Sequence, residues 1–152
     1  MIKHFLKLAV CCFTILSMAA CSDEDSLEEI FSSHKWYVTN IYFTATNASA
    51  LSDMSILYRK DSYYIEFSDN GTLRGKTASQ NPEFTGTWKA DGSSRSLSIK
   101  VSGNTSQNDG GASELMLKVL NNAASYSGDS NVLTIKTKNG GQYYMTLGSK
   151  EK

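Results

Sequence analysis

Apolar and polar positions alternate along most of the chain beyond residue 34. Between Ser62 and Ser68, Tyr63, Ile65 and Phe67 share one face and Tyr64 and Glu66 the other, the period of a half-buried strand. Leu97, Ile99 and Val101 repeat the pattern within Arg95–Ser102, and Tyr143, Met145 and Leu147 repeat it within Gln142–Gly148. Lys35–Thr46 is a long run of aromatic and β-branched residues that opens on Trp36 and Tyr37. Thr72–Ala78, Glu83–Ala90, Ser125–Ser127 and Asn131–Lys138 complete the expected strands. The turns between them carry residues that tolerate positive φ: Asp69-Asn70-Gly71, Asp91-Gly92 and Asn139-Gly140-Gly141.

Two segments change period. Ser26-Leu27-Glu28-Glu29 has capping-box spacing and leads into Ile30 and Phe31, which predicts one or two helical turns from Leu27 to Ser33 plugging one end of the domain. Within Ser113–Ala124, Met116, Val119, Leu120 and Ala123 recur at helical spacing, and Ser113 stands where a cap belongs; a strand through Leu115, Leu117 and Val119 is the competing pattern. Between Asn47 and Leu57 the chain is small and polar, with room for a short helix. The expected class is mainly β (α+β): a single antiparallel, strongly curved sheet or small barrel with one helix packed on it. Gly75 and Gly86 lie on the inward alternation with Leu73 and Trp88, which predicts an indole lying across the neighbouring strand.

The first twenty residues follow other rules. Lys3, His4 and Lys7 precede the apolar run Leu8–Leu16, and Ser17-Met18-Ala19-Ala20 brings small residues up to Cys21. This is the layout of a secretory leader. At ~1.5 Å per residue, Leu8–Ala20 reaches roughly 20 Å against a hydrocarbon core of about 30 Å, too short for a good span. Met18-Ala19-Ala20-Cys21 resembles a bacterial lipobox, which implies cleavage before Cys21, a diacylglycerol on its thiol and a further acyl chain such as palmitate on the new N-terminus. The acidic Ser22-Asp23-Glu24-Asp25 resembles the surface-export signal of Bacteroidota lipoproteins, and Asp25-Ser26-Leu27 resembles an O-glycosylation site on Ser26. The expected organisation is a leader over 1–20, a lipidated acidic tether and short helix over 21–33, and one β-rich domain over 34–152. The bilayer is then a partner through Cys21, and the expected location is the outer membrane, facing the cell surface, with a periplasm-facing anchor as the alternative.

Composition narrows the chemistry. The 152 residues hold 15 bases and 15 acids, and the part beyond Ala20 carries two more acids than bases, which argues against nucleic acid. The only cysteines are Cys11, Cys12 and Cys21, so the body has no disulfide framework, no Cys/His zinc site and no Cys–His nucleophile. His34 is its single imidazole and sits at the edge of the first strand. Glu66 and Glu83 are the one candidate hydrolytic pair, on a solvated strand face. Asn104, Asn108 and Asp109 beside Gly110-Gly111 offer oxygens to Ca²⁺ but too little charge, and a loop without apolar anchors is expected there. Tyr37, Tyr64 and Tyr144 fall opposite the presumed core, where an aromatic plate with a polar tip suits a sugar ring or a partner surface. No catalytic residue, metal or cofactor is expected.

Trp36, the run Phe67-Ser68-Asp69-Asn70-Gly71 followed by Gly75, Gly86-Thr87-Trp88 leading into Leu97-Ser98-Ile99, Leu117 and Leu120, Tyr126, and Leu133-Thr134-Ile135 together resemble a META domain, the module of heat-inducible bacterial envelope lipoproteins. The likeness runs from about Leu27 to Leu147, with Thr77-Ala78-Ser79 where such domains carry Gly-Cys-Asn. It implies a non-catalytic binding or structural role in the envelope, linked to stress, with an envelope protein or glycan as partner. Small lipocalin-like lipoproteins share the opening Trp and the Gly-Thr-Trp style; that resemblance implies a hollow barrel with a cavity of several hundred Å³ for a small apolar ligand.

Overall fold

The computed structural model describes residues 26–32, 34–58, 62–77, 83–106 and 108–150. The leader, Cys21, the acidic tether and Ala78-Ser79 lie outside the described residues.

A short helix α1 (Leu27–Phe31) precedes β1 (Lys35–Phe43); then come β2 (Tyr64–Phe67), β3 (Thr72–Lys76), β4 (Glu83–Asp91), β5 (Ser96–Gly103), a second helix α2 (Ala112–Asn121), β6 (Ala123–Gly128), β7 (Val132–Thr137) and β8 (Tyr143–Gly148). Each strand pairs antiparallel with the next, and β8 pairs back onto β1, so the sheet closes as an eight-stranded barrel. Closure explains the period-2 pattern: every strand has one face inside and one outside. Among the described residues, no helix is long and apolar enough to cross a membrane.

Several expected boundaries move. The first strand stops at Phe43 because Thr44–Thr46 turn and Asn47 takes φ 54°. Tyr63, also at positive φ (51°), stands just before β2 rather than in it. The polar stretch after β1 holds one turn of 3-10 helix, Met54–Tyr58. Helix α2 begins at Ala112 with Gly111 at its N-cap, so Ser113 is not the cap. The Ser113 hydroxyl instead accepts the Ser106 amide at 2.8 Å.

The interior is filled. Trp36, Ile41, Ile65, Phe84, Leu133, Ile135, Met145 and Leu147 are all essentially inaccessible, and α2 adds Met116, Val119 and Leu120. Phe84 lies between Gly75 on β3 and Gly103 on β5, and a Cβ at Gly75 would run into the Phe84 ring and the Tyr64 carbonyl. The ring over Gly75 is therefore Phe84, not the Trp88 indole expected there, while Gly86 faces the Lys100 carbonyl and Val101 on β5. Trp88 is half-buried at one end of the barrel, where its Nε1 donates to the Ser68 carbonyl at 3.0 Å.

Helix α1 closes that end. Ser26 caps it: the Glu29 amide donates to the Ser26 hydroxyl at 3.2 Å, and the Ser26 amide donates to the Glu29 carboxylate at 2.6 Å. Phe31 drops among Phe67, Tyr126 and Trp88, with centroids 5.1, 5.0 and 4.8 Å away. The Trp36 indole N–H donates to the Ile30 carbonyl at 2.9 Å and ties the plug to β1. Helix α2 packs on β5, β7 and β8. It covers a thin seam, since β5 and β6 share one register pair, Ser96 with Ser125. There the Asn121 amide replaces a strand: Val101 N–H donates to its Oδ1 at 2.9 Å, and its Nδ2 donates to the Val101 carbonyl at 3.1 Å.

Phe31→Ala leaves a cavity beneath the plug where relaxation is limited by the closed sheet. The expected loss is about 3–5 kcal/mol of unfolding free energy, read by chemical denaturation; a loss under about 1 kcal/mol would mean that α1 is not an integral part of the core.

Candidate functional site

A barrel packed to its axis leaves its chemistry on the outside. The alternating turns put the β2–β3, β4–β5 and β6–β7 connections at the α1 end and the β7–β8 hairpin at the other. Three open depressions, of about 300, 610 and 440 Å³, meet at that hairpin and share Gly140, Gly141 and Tyr143. Asn139-Gly140-Gly141 makes the tight turn expected of it: Gly140 has φ 81°, and the Gly141 amide donates to the Lys138 carbonyl at 2.6 Å. The hairpin is clamped from both sides. The Thr137 hydroxyl donates to the Tyr143 carbonyl at 2.6 Å, and the Thr44 amide donates to the Gln142 carbonyl at 2.8 Å.

Aromatic rings stand around this rim in pairs. Tyr143 packs on Phe43 with centroids 5.3 Å apart, and Phe43 is 40% exposed. Tyr42 and Tyr144 stack at 4.9 Å with 18° between planes, and the Tyr144 hydroxyl donates to Asn47 Oδ1 at 3.2 Å. Lys118 from α2 holds its ammonium 5.4 Å from the Tyr143 ring. Lys136 and Lys138 complete the charged lining, and among the described residues no carboxylate, imidazole or thiol lines any of the three depressions. Such a surface offers aromatic plates, hydroxyls and ammonium groups to another molecule.

Of the three tyrosines expected on one face, Tyr144 belongs to this rim. Tyr37 and Tyr64 are opposite each other across β1 and β2, with centroids 6.3 Å apart. They sit lower on the barrel: Tyr37 is in register with Gly148, four residues along β8 from Tyr144. Lys35 covers the Tyr64 ring at 4.1 Å and pairs with Glu66 at 3.5 Å. The expected single tyrosine face is thus two clusters at different heights on the barrel, with Tyr42, not Tyr37, opposite Tyr144. Sequence reasoning also placed Tyr143 inward and passed over Phe43 and Tyr42. Tyr143 keeps the inward alternation but stands at the lip, where no opposite wall covers it.

The other sequence candidates resolve into structure. Glu66 is held by Arg74 at 2.6 Å and by Lys35, and it faces Arg74 across β2 and β3 while Glu83 faces Lys76 across β3 and β4. The two carboxylates do not flank a common cleft. Asp109 is buried, not part of an unanchored loop: it accepts from the Tyr63 hydroxyl at 2.9 Å, the Ser113 amide at 2.9 Å and the Gly111 amide at 3.0 Å. It thereby caps α2 and pins the loop that precedes it. Asn104 contributes its carbonyl to the Thr77 hydroxyl at 3.3 Å. Among the described residues, no group of three or more His, Cys, Asp or Glu side chains is placed to hold a metal ion. Ser26 is the N-cap of α1, so a sugar on its oxygen would compete with the capping bond.

Comparison with known proteins replaces the resemblances drawn from sequence. Over residues 22–148 the chain matches the family model described as a domain of unknown function (DUF4847). The crystal structure of a DUF4847-family protein from Bacteroides vulgatus, at 1.00 Å resolution, is similar with a TM-score of 0.65 and 26% identity, covering 84% of this chain and 99% of that one. No curated protein matches. The META-domain resemblance is overturned by this family match, and the lipocalin-like one with it. The physical reason is visible in the marks that suggested them. Asn70-Gly71 makes a tight turn, and Gly75 and Gly86 lie where a Cβ would strike a neighbouring strand. Any small antiparallel barrel needs such residues, so they report architecture and not ancestry.

His34 lies edge-on to Trp36, centroids 4.5 Å apart, and burial lowers its pKa from the ordinary 6.5. The folded chain therefore binds this proton less readily than the unfolded chain. The corresponding stability is complete above pH about 6.5 and is lost as pH falls from there through the lower folded value. Thermal melts stepped from about pH 7.5 to about pH 5 should fall less steeply for His34→Gln than for the parent chain; identical slopes would show that the imidazole is as free to protonate folded as unfolded.

Proposed function

The chain belongs to the DUF4847 family, and from that starting point we propose that it is a non-catalytic binding module of the bacterial envelope, held to the outer membrane by a lipid on Cys21. The observation that carries the binding role is the convergence of three open depressions, with aromatic and lysine lining, on one clamped hairpin of an otherwise filled barrel. The plates, hydroxyls and cations of the lining support recognition. The lipobox-like Met18-Ala19-Ala20-Cys21 supports the anchor, and the acidic stretch behind it supports exposure at the cell surface. The geometry suits such an attachment. Helix α1, the first described element, lies at the barrel end opposite the β7–β8 hairpin, which supports a reading in which a lipid-held N-terminus leaves the hairpin free for a partner.

Two measurements test this role. Globomycin should make an uncleaved precursor accumulate, and Cys21→Ala should abolish incorporation of labelled palmitate; normal processing under the drug would remove the anchor. A photo-crosslinking benzoylphenylalanine at Asn139, exposed on the hairpin, should capture an envelope component in living cells, whereas the same group at Lys89 on the outer face of β4 should not. Equal capture from both positions, or none from Asn139, would remove the hairpin as a binding site.

A further inference from the structure

We infer that the rim around the β7–β8 hairpin takes an anionic saccharide, a sugar chain bearing carboxylate or sulfate groups. This deepens the binding role proposed for the same rim. Charge is the first ground. Beyond Ala20 the chain has an excess of acids, yet the three depressions at the hairpin are lined by Lys118, Lys136 and Lys138 and by no carboxylate. The three ammonium groups come from three elements: α2, β7 and the hairpin turn. They are spread along the surface, which suits repeated anionic groups on a chain better than one small anion held at a point.

The sheet face running down from the hairpin is the second ground. Ser125, Lys136, Tyr144 and Tyr42 form one rung across β6, β7, β8 and β1. Ser127, Thr134 and Thr146 form the next, extended by the Thr39 hydroxyl at 2.8 Å from that of Thr146. Strands lie about 4.8 Å apart, close to the length of one pyranose unit. Each rung therefore offers hydroxyls or an ammonium at a spacing that sugar hydroxyls and acid groups can meet. At the top of the face, Phe43 and Tyr143 present plates on which the C–H face of a pyranose packs.

Closure of the barrel disfavours the main rival occupant. An extended peptide gains affinity by adding a strand to an open sheet edge. β7, β8 and β1 are each paired on both sides, so this face offers side chains and no free edge. A lipid surface is disfavoured as well, because the face is mainly hydroxyl, amide and ammonium.

The test uses the full chain purified in detergent and four probes: polygalacturonate oligosaccharides, dextran sulfate, neutral dextran and poly-glutamate. Binding to at least one acidic sugar is expected, and the ratio between the first two probes tells a uronate from a sulfate preference. Neutral dextran should not bind, and poly-glutamate should bind at least about tenfold more weakly. Affinity should fall as salt is raised. Lys136→Glu with Lys138→Glu should weaken binding by about tenfold or more, and so should Tyr143→Ala or, at the more exposed plate, Phe43→Ser, while Lys89→Glu leaves it unchanged. The inference is overturned by poly-glutamate binding as tightly as the sugars, by insensitivity to both plate variants, or by no acidic sugar binding at all. If Asn139 crosslinks a protein in cells while no acidic sugar binds, the binding role stands and the saccharide is ruled out.

Discussion

Eight short strands closed on themselves leave an interior wide enough for one packing of side chains or for one small ligand. In this chain the side chains take all of it. Trp36, Phe84 and Phe31, with a ring of Ile, Leu and Met, leave the axis occupied from the α1 plug to α2. The glycines make that possible, since Phe84 can lie flat only because β3 and β5 present Gly75 and Gly103 beside it. Everything else follows from that occupancy. Only the outer face and the rims are left open to another molecule, and both ends of the barrel have to be sealed by something other than strands.

The seals are polar at their edges and apolar inside. At one end the capping box of α1 and the indole bond from Trp36 hold Phe31 in place. At the other, Asp109 gathers the Tyr63 hydroxyl and two backbone amides. The Asn121 amide gives Val101 the two hydrogen bonds that β6 is too short to supply. A barrel can tolerate a seam this thin because a side-chain amide carries the same donor and acceptor as a peptide group. The β7–β8 hairpin lies outside these seals, and its own clamps make it a rigid lip around which rings and lysines gather.

The fold was largely legible in the residues. Alternation placed the strands within a few residues, the turns fell at Asn70-Gly71, Asp91-Gly92 and Asn139-Gly140-Gly141, and Ser26–Glu29 marked the first helix. Boundaries failed where backbone geometry overrode pattern, as at Asn47 and Tyr63, which adopt positive φ without being glycine. The ancestry suggested by the glycines and aromatics failed for a different reason: those residues satisfy demands common to small barrels. The candidate site was legible only in part. Tyr144 stood out as an outward aromatic, but Tyr143 and Phe43 carry the inward period and are exposed only because the barrel ends beneath them. The lysines gave no signal, being three ordinary surface residues on separate elements until closure gathers them.

The linear chain by itself determined a β-rich domain, because period and turn chemistry are local properties; the leader-like layout ahead of Cys21 is local too, and it supports the proposed anchor. Only the tertiary structure decided that the sheet closes, that its interior is solid, that Asp109 is a buried cap and that the hairpin carries a cationic aromatic rim. Those outcomes depend on which distant side chains share a volume, and no local pattern records that.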